Sequence, residues 1–127
     1  MLKGNRKSPL QNQTFDSIVG KDMVIDGRLK VLGNALIHGL VTGNIEASQD
    51  AEVVLIGVSD SGSVQGNIIA DQVMISGRVM GDVVGRLRVE LMSNAVVEGN
   101  LTYGNLVIDE GARVMGRMIP IDVTKEN

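Results

Sequence analysis

Short aliphatic runs, separated by polar or glycine-containing steps, follow one another along most of this chain. In the segment 87–91 (LRVEL) apolar and polar residues alternate with a period of two, which predicts a strand with Leu87, Val89 and Leu91 on one face. The other runs are equally short and rich in Val and Ile, which favour strands over helices. The pattern therefore predicts an all-β protein built from many short strands.

One seven-residue pattern recurs along the chain. It reads small, any, Val, any, Gly, Asn or Asp, aliphatic, and its copies are residues 39–45, 62–68, 77–83, 95–101 and, more loosely, 112–118. Its second glycine returns on average about every 18 residues. We assign the longest interval, between Gly43 and Gly66, to a surface loop at residues 57–62, whose Gly, Ser and Asp favour turns. The Gly-Asn step predicts a corner, since glycine enters positive φ freely and Asn and Asp tolerate the left-handed region.

A repeat of this length divides into three faces of about six residues, so that like residues stack in successive coils. Upstream of the clear copies, aliphatic residues recur every six positions at Val19, Ile25, Val31 and Ile37. The sequence thus predicts a three-sided parallel β-helix (solenoid) of about six coils with an aliphatic interior.

Composition agrees with a single domain of this kind. Only Phe15 and Tyr103 are aromatic among 127 residues, so the core must be made of stacked aliphatic groups. We predict a solenoid domain at residues 17–120, a flexible N-terminal tail at 1–16 and a short C-terminal tail at 121–127, with both termini disordered. The chain has no cysteine and no apolar run long enough to span a bilayer, and we expect a cytoplasmic protein.

Neither end of the predicted solenoid carries a polar capping repeat, although open strand edges and exposed core favour association. We therefore expect the coils to stack end to end between molecules and form a filament. The candidate contacts are apolar residues of the two terminal coils, namely Phe15, Ile18, Val19, Val114, Met115, Met118 and Ile119. The alternative is that the terminal segments fold back as lids over a monomer or dimer.

The ordered set of motifs resembles the bactofilins, a family of bacterial cytoskeletal proteins. The resemblance covers about residues 16–120 and includes SIVG at 17–20, MVIDG at 23–27, the repeated Gly-x-Val-x-Gly-Asn-Ile, and LVIDEGA at 106–112. It implies a right-handed β-helix that polymerises without nucleotide into non-polar filaments, with like ends meeting. It also implies a scaffold for cell-envelope enzymes, such as peptidoglycan synthases or hydrolases, in cell shape. Many members carry a phenylalanine in the last coil, where this chain has Val114, Met115 and Met118.

The first residues are basic and lack acids. We predict that the tail contacts the anionic inner face of the cytoplasmic membrane through Met1, Leu2, Lys3, Arg6 and Lys7. Each basic residue adds roughly 1 kcal/mol near such a surface, and many tails on one filament raise the avidity. The tail also resembles the membrane-targeting peptide of many bactofilins. The alternative is an ordinary soluble terminus.

Motifs for catalysis or cofactor binding are missing from the sequence. No phosphate-binding loop is present, and His38 is the only histidine, so we expect no cofactor, no metal site and no enzyme activity. With a net charge of −3 and no basic stripe in the solenoid, nucleic acid is not an expected partner.

The alternative function to a filament-forming scaffold is that of a trimeric hexapeptide-repeat acyltransferase, a left-handed β-helix that would use His38 as base. It matches the early six-residue spacing but not the later intervals.

Overall fold

A computed structural model describes residue 10 and residues 13–121. In this part of the chain the regular structure consists of strands, with no α-helix. In chain order the strands are β1 (Ser17–Val19), β2 (Val24–Asp26), β3 (Leu29–Val31), β4 (Ala35–Ile37), β5 (Leu40–Thr42), β6 (Ile45–Ala47), β7 (Leu55–Val58), β8 (Ser63–Gln65), β9 (Ile68–Ile75), β10 (Arg78–Met80), β11 (Val83–Leu91), β12 (Val96–Glu98), β13 (Leu101–Ile108), β14 (Arg113–Val114) and β15 (Met118–Pro120).

The strands wind into six coils, and each coil adds one segment to each of three parallel sheets. The first sheet contains β1, β4, β7 and the C-terminal halves of β9, β11 and β13. The second contains β2, β5, β8, β10, β12 and β14. The third contains β3, β6, the N-terminal halves of β9, β11 and β13, and β15. Because each pairing joins strands one coil apart, the predicted all-β parallel solenoid of about six coils is confirmed.

The interior consists of aliphatic columns that run along the rod. In the second sheet the inward column, paired coil by coil, is Ile25, Val41, Val64, Val79, Val97 and Val114. Its four middle members are fully buried, whereas the two terminal ones keep contact with solvent. The residues with the predicted six-residue spacing all belong to this core, namely Val19, Ile25, Val31 and Ile37. Burial stabilises by roughly 1.5–3 kcal/mol per aliphatic side chain, so each coil adds a similar increment.

The second glycine of each repeat lies at the corner between the second and third sheets. The column is Gly27, Gly43, Gly66, Gly81, Gly99 and Gly116, and a methyl group on any of the last five would overlap the carbonyl oxygen of the glycine one coil earlier. Gly27, Gly43 and Gly81 have positive φ (130°, 151° and 159°), whereas Gly66 and Gly99 do not. The positive-φ prediction is therefore correct for part of the column, and close approach to the preceding coil is the requirement that the last five glycines share.

The Asn or Asp after that glycine has a different role from the predicted one. None of the described residues other than glycine has positive φ, so the left-handed backbone prediction is wrong for these positions. Instead, each side-chain oxygen accepts a hydrogen bond from the backbone N–H one coil later. These bonds join Asn44 to Asn67 (2.8 Å), Asn67 to Asp82 (2.9 Å), Asp82 to Asn100 (2.9 Å) and Asn100 to Arg117 (3.0 Å). This position of the repeat therefore requires a short side chain with an acceptor oxygen, because that oxygen bonds to the backbone of the next coil.

The orientation predicted for segment 87–91 is correct for two residues and wrong for one. Val89 and Leu91 are fully buried, but Leu87 is 47% exposed. The register of β11 shifts between Gly85 and Arg88, where the strand turns from the third sheet to the first. Leu87 lies at this bend and points away from the core.

The extra length between Gly43 and Gly66 also lies elsewhere than predicted. Residues 57–58 belong to β7, and a short turn follows before β8. The long connection is residues 48–54, between β6 and β7. Its end is held by a 2.9 Å hydrogen bond from the Val54 backbone N–H to the Asp71 carboxylate.

Candidate functional site: the two ends of the solenoid

The first coil presents an open surface at one end of the rod. Within the described residues, β1, β2 and β3 each pair only with the strand of the second coil. The inward side chains that end here form the first-coil end, which consists of Val19, Ile25, Leu29 and Val31. All but Val19 are half-buried, although they occupy core columns. The unpaired edge and the uncovered apolar groups are the two features that a further coil would satisfy.

The last coil presents the same kind of surface at the opposite end. The inward residues here form the last-coil end, which consists of Leu106, Ile108, Val114 and Met118. Ile108 is 41% exposed and Met118 is 49% exposed, whereas their partners one coil earlier, Leu91 and Leu101, are fully buried. The same column position is therefore core in the fifth coil and surface in the sixth.

The structure places the predicted contact residues in two groups. Val19, Val114 and Met118 occupy core columns at the ends. Ile18 pairs with the half-buried Leu36 on the outer side of the first sheet, and Ile119 pairs with Thr102 on the outer side of the third. Met115 follows Val114 directly and therefore points to the side of the rod. Their participation in assembly stays a prediction.

Sequence reasoning missed five members of the end surfaces, which are Ile25, Leu29, Val31, Leu106 and Ile108. The repeat register contained the signal for them, because each lies at an aliphatic position that recurs in the neighbouring coil. Proximity to the termini does not distinguish inward from outward apolar side chains. The position of a residue within the repeat does, because inward residues stack on inward residues in the next coil.

Phe15, the remaining predicted contact, lies on the side of the rod. Together with Leu10 it forms a strap against the outer face of the first sheet, over a cluster that contains Leu36, Leu55, Met74 and Met92. Gly57 provides the space, since a Cβ there would lie 2.8 Å from Leu10 Cδ2 and 3.2 Å from Phe15 Cζ. The described N-terminal segment thus covers a lateral face and does not form a lid over the first-coil end.

Asn34 holds this segment in place. Its backbone N–H donates to the Asp16 carboxylate (2.9 Å), and its amide NH₂ donates to the Thr14 carbonyl (3.0 Å). Its side-chain oxygen accepts from the Leu55 backbone N–H (2.8 Å). One asparagine therefore ties the strap to the second and third coils.

Phe15→Ala is expected to leave filaments intact but to lower the stability of the subunit by about 1–2 kcal/mol, the loss for a half-buried ring. Thermal unfolding and sedimentation of the variant measure the two effects. Loss of filaments with unchanged unfolding would contradict the lateral role and support the end contact predicted from the sequence.

His38 lies one residue after β4 and is half-buried. It is hydrogen-bonded to the turn of the next coil. Ser61 Oγ donates to the His38 carbonyl (2.8 Å), Ser59 Oγ lies 3.4 Å from Ser61 Oγ, and His38 Nδ1 lies 2.7 Å from Ser59 Oγ. The 3.4 Å separation of the two serine oxygens is long for a hydrogen bond, and the direction of the His38–Ser59 bond follows the tautomer of the imidazole. These contacts link two turns of neighbouring coils.

A cavity of about 510 Å³ adjoins this turn, with Lys21, Asp60 and Ser76 among its lining residues. Among the described residues, no group of three or more His, Cys, Asp or Glu side chains could hold a metal ion.

The predicted membrane contacts lie outside the described residues, namely Met1, Leu2, Lys3, Arg6 and Lys7. Residues 10 and 13–121 contain no helix long and apolar enough to cross a bilayer.

These features define a class of protein, the parallel β-solenoid whose first and last coils are not covered at their outer ends by any other described residue. Residues 17–119 match the bactofilin family, described as polymer-forming cytoskeletal, and the chain belongs to this family. The boundaries agree with the six coils, from β1 to β15.

Two curated bactofilins of Myxococcus xanthus (strain DK1622) are similar to the chain. Bactofilin BacO is 29% identical over 116 residues, which cover 89% of this chain and 88% of BacO. Bactofilin BacP is 30% identical over 108 residues, which cover 85% of this chain but only 43% of BacP. No solved structure matches the chain significantly.

Proposed function

We propose that this protein is a scaffold subunit that assembles end to end, without nucleotide, into non-polar filaments at the cytoplasmic membrane. The observation that carries the proposal is the pair of open ends. At each end, core columns and strand edges stop without a covering element among the described residues. The strap, which could have covered the first end, packs on the side instead.

End contact between subunits would bury the apolar side chains that each end leaves exposed, as the sixth coil buries those of the fifth. A contact between like ends would use this apolar packing and not the parallel strand pairing that joins coils within one subunit. At the last-coil end the apolar side chains are Leu106, Ile108, Val114 and Met118, and at the first-coil end Val19, Ile25, Leu29 and Val31. Like ends can meet through these apolar groups, because aliphatic contact is non-directional.

Negative-stain electron microscopy and sedimentation of the purified chain test this function. We expect long thin filaments at neutral pH without nucleotide or metal, unchanged in amount when ATP or GTP is added. A protein that stays monomeric, or forms a discrete trimer, across a wide concentration range would overturn the proposal. A trimer would also return attention to the acyltransferase alternative and to His38.

Membrane association is the second part of the proposal, and it rests on the basic tail. Deletion of residues 2–7 is expected to release the protein from vesicles containing anionic lipid, because the deletion removes Lys3, Arg6 and Lys7. Filaments should persist, since the end surfaces are unchanged. Flotation of the vesicles in a density gradient measures the change, because filaments without vesicles do not float. Equal recovery of deleted and full-length protein with the vesicles would contradict it.

The scaffold organises cell-envelope or cell-shape machinery in this proposal, with peptidoglycan synthases or hydrolases as the expected partners. The protein itself acts as a structural element and not as an enzyme. Membership of a family described as polymer-forming cytoskeletal supports this.

A further inference from the structure

One inward column of this solenoid ends in a methionine. The inward column of the third sheet is Leu29, Ile45, Ile68, Val83, Leu101 and Met118. In the five earlier coils the position is aliphatic, and only the terminal coil replaces it with a thioether. The main core cluster contains no methionine among its described members. The column is thus easily oxidised only where it ends at the surface.

The other described methionines have different surroundings. Met74 and Met92 are 6% and 7% exposed and lie in the cluster around the strap. Met23, Met80 and Met115 are 49%, 42% and 55% exposed, and none of them belongs to the main core cluster. Met118, at 49% exposed, combines solvent access with a core-column position.

We propose that Met118 is a modification site, where oxidation to the sulfoxide blocks the last-coil end and prevents addition of subunits. This inference rests on the proposed end-to-end assembly. The oxidant is a hydroperoxide such as H₂O₂. The thioether sulfur takes one oxygen, the O–O bond breaks, and the second oxygen leaves as water. A thiol-dependent reductase reverses the step by removing that oxygen as water while two thiols form a disulfide.

The polarity of the sulfoxide is what disrupts the contact. Its oxygen is a strong hydrogen-bond acceptor, whereas position 118 pairs in register with Leu101, and the other inward residues of the last-coil end, Leu106, Ile108 and Val114, are aliphatic. Stacking would remove the oxygen from water without supplying a donor, which is unfavourable. In an assembled filament the same side chain is covered, so assembly protects it from peroxide. Oxidation therefore acts on free ends.

The test treats the full chain with H₂O₂ before assembly and after it, and measures the critical concentration by sedimentation. Peptide mass spectrometry reports the added oxygen at position 118. We expect oxidation before assembly to raise the critical concentration at least about tenfold. We expect Met118 in preformed filaments to react more slowly than Met80.

Met118→Leu should assemble and become insensitive to peroxide, whereas Met80→Leu, of similar exposure, should stay as sensitive as the unsubstituted chain. Met118→Gln, which places a polar oxygen at the same position, should raise the critical concentration without peroxide while its thermal unfolding stays close to that of the parent. Full oxidation at position 118 with unchanged assembly, undiminished sensitivity of Met118→Leu, or normal assembly of Met118→Gln would each overturn the inference. A parent chain that never polymerises would instead overturn the proposed function.

Discussion

Ile108→Arg is expected to abolish filaments while leaving the solenoid folded. Ile108 continues the column of the fully buried Leu91 but is 41% exposed in the last coil, so a guanidinium there stays in water in the monomer. In an end contact the same charge would be buried without a partner, which costs several kcal/mol. The critical concentration should therefore rise by more than about 100-fold. Sedimentation and negative-stain microscopy measure it.

Met80→Arg is the matched control, because Met80 is 42% exposed but lies on the side of the rod in the fourth coil. It should form filaments like the parent, and both variants should keep the circular dichroism of a β-solenoid. If Ile108→Arg polymerised normally, the last-coil end would not be a subunit contact. If both variants failed to polymerise, added charge in general would be responsible.

Gly66→Ala is expected to destabilise the solenoid by about 3 kcal/mol or more, the upper range for overpacking, because the new methyl group meets backbone that cannot rotate away. A Cβ on Gly66 would overlap the carbonyl oxygen of Gly43 in the preceding coil. Since φ of Gly66 is not positive, the effect would come from close approach of the coils and not from backbone strain. Thermal or denaturant unfolding measures the loss.

Gly20→Ala provides the control. A Cβ on Gly20 would have Met23 Cγ at 4.0 Å as its nearest neighbour, which is ordinary contact. This variant should unfold within about 1 kcal/mol of the parent. Equal stability of Gly66→Ala and Gly20→Ala would show that the coils can separate enough at the corner to accept a methyl group.

The repeat made the architecture predictable before any coordinates. Apolar residues at a repeat interval of about 18 residues can be buried together only if successive coils stack in register, so Val41, Val64, Val79 and Val97 form one column whatever the corner geometry is. The recurring glycines likewise marked the corners. Positive φ was expected of them and occurs at Gly27, Gly43 and Gly81 but not at Gly66 or Gly99, because the sequence alone does not distinguish a need for positive φ from a need for space.

The prediction of the contact residues was less accurate than the prediction of the fold. Val114 and Met118 lie in columns at the last-coil end, but Met115 and Ile119, also apolar and near the terminus, point sideways. A shift of one residue reverses the direction of a side chain on a strand, and the last copy of the repeat is its least regular. The bend at Leu87 had the same effect, since a register shift breaks the alternation that the sequence displays.

The sequence by itself determined the class of fold, the number of coils and the aliphatic core, because these follow from periodicity and from the burial that periodicity permits. Only the tertiary structure decided which side chains end the columns, how the Asn and Asp side chains tie the coils together, and where the strap lies. Those features depend on contacts between residues in different coils, such as Asn67 with Asp82 and Phe15 with the cluster beside Gly57. Such contacts arise from the register and the bends of the chain, which no local pattern of residues specifies.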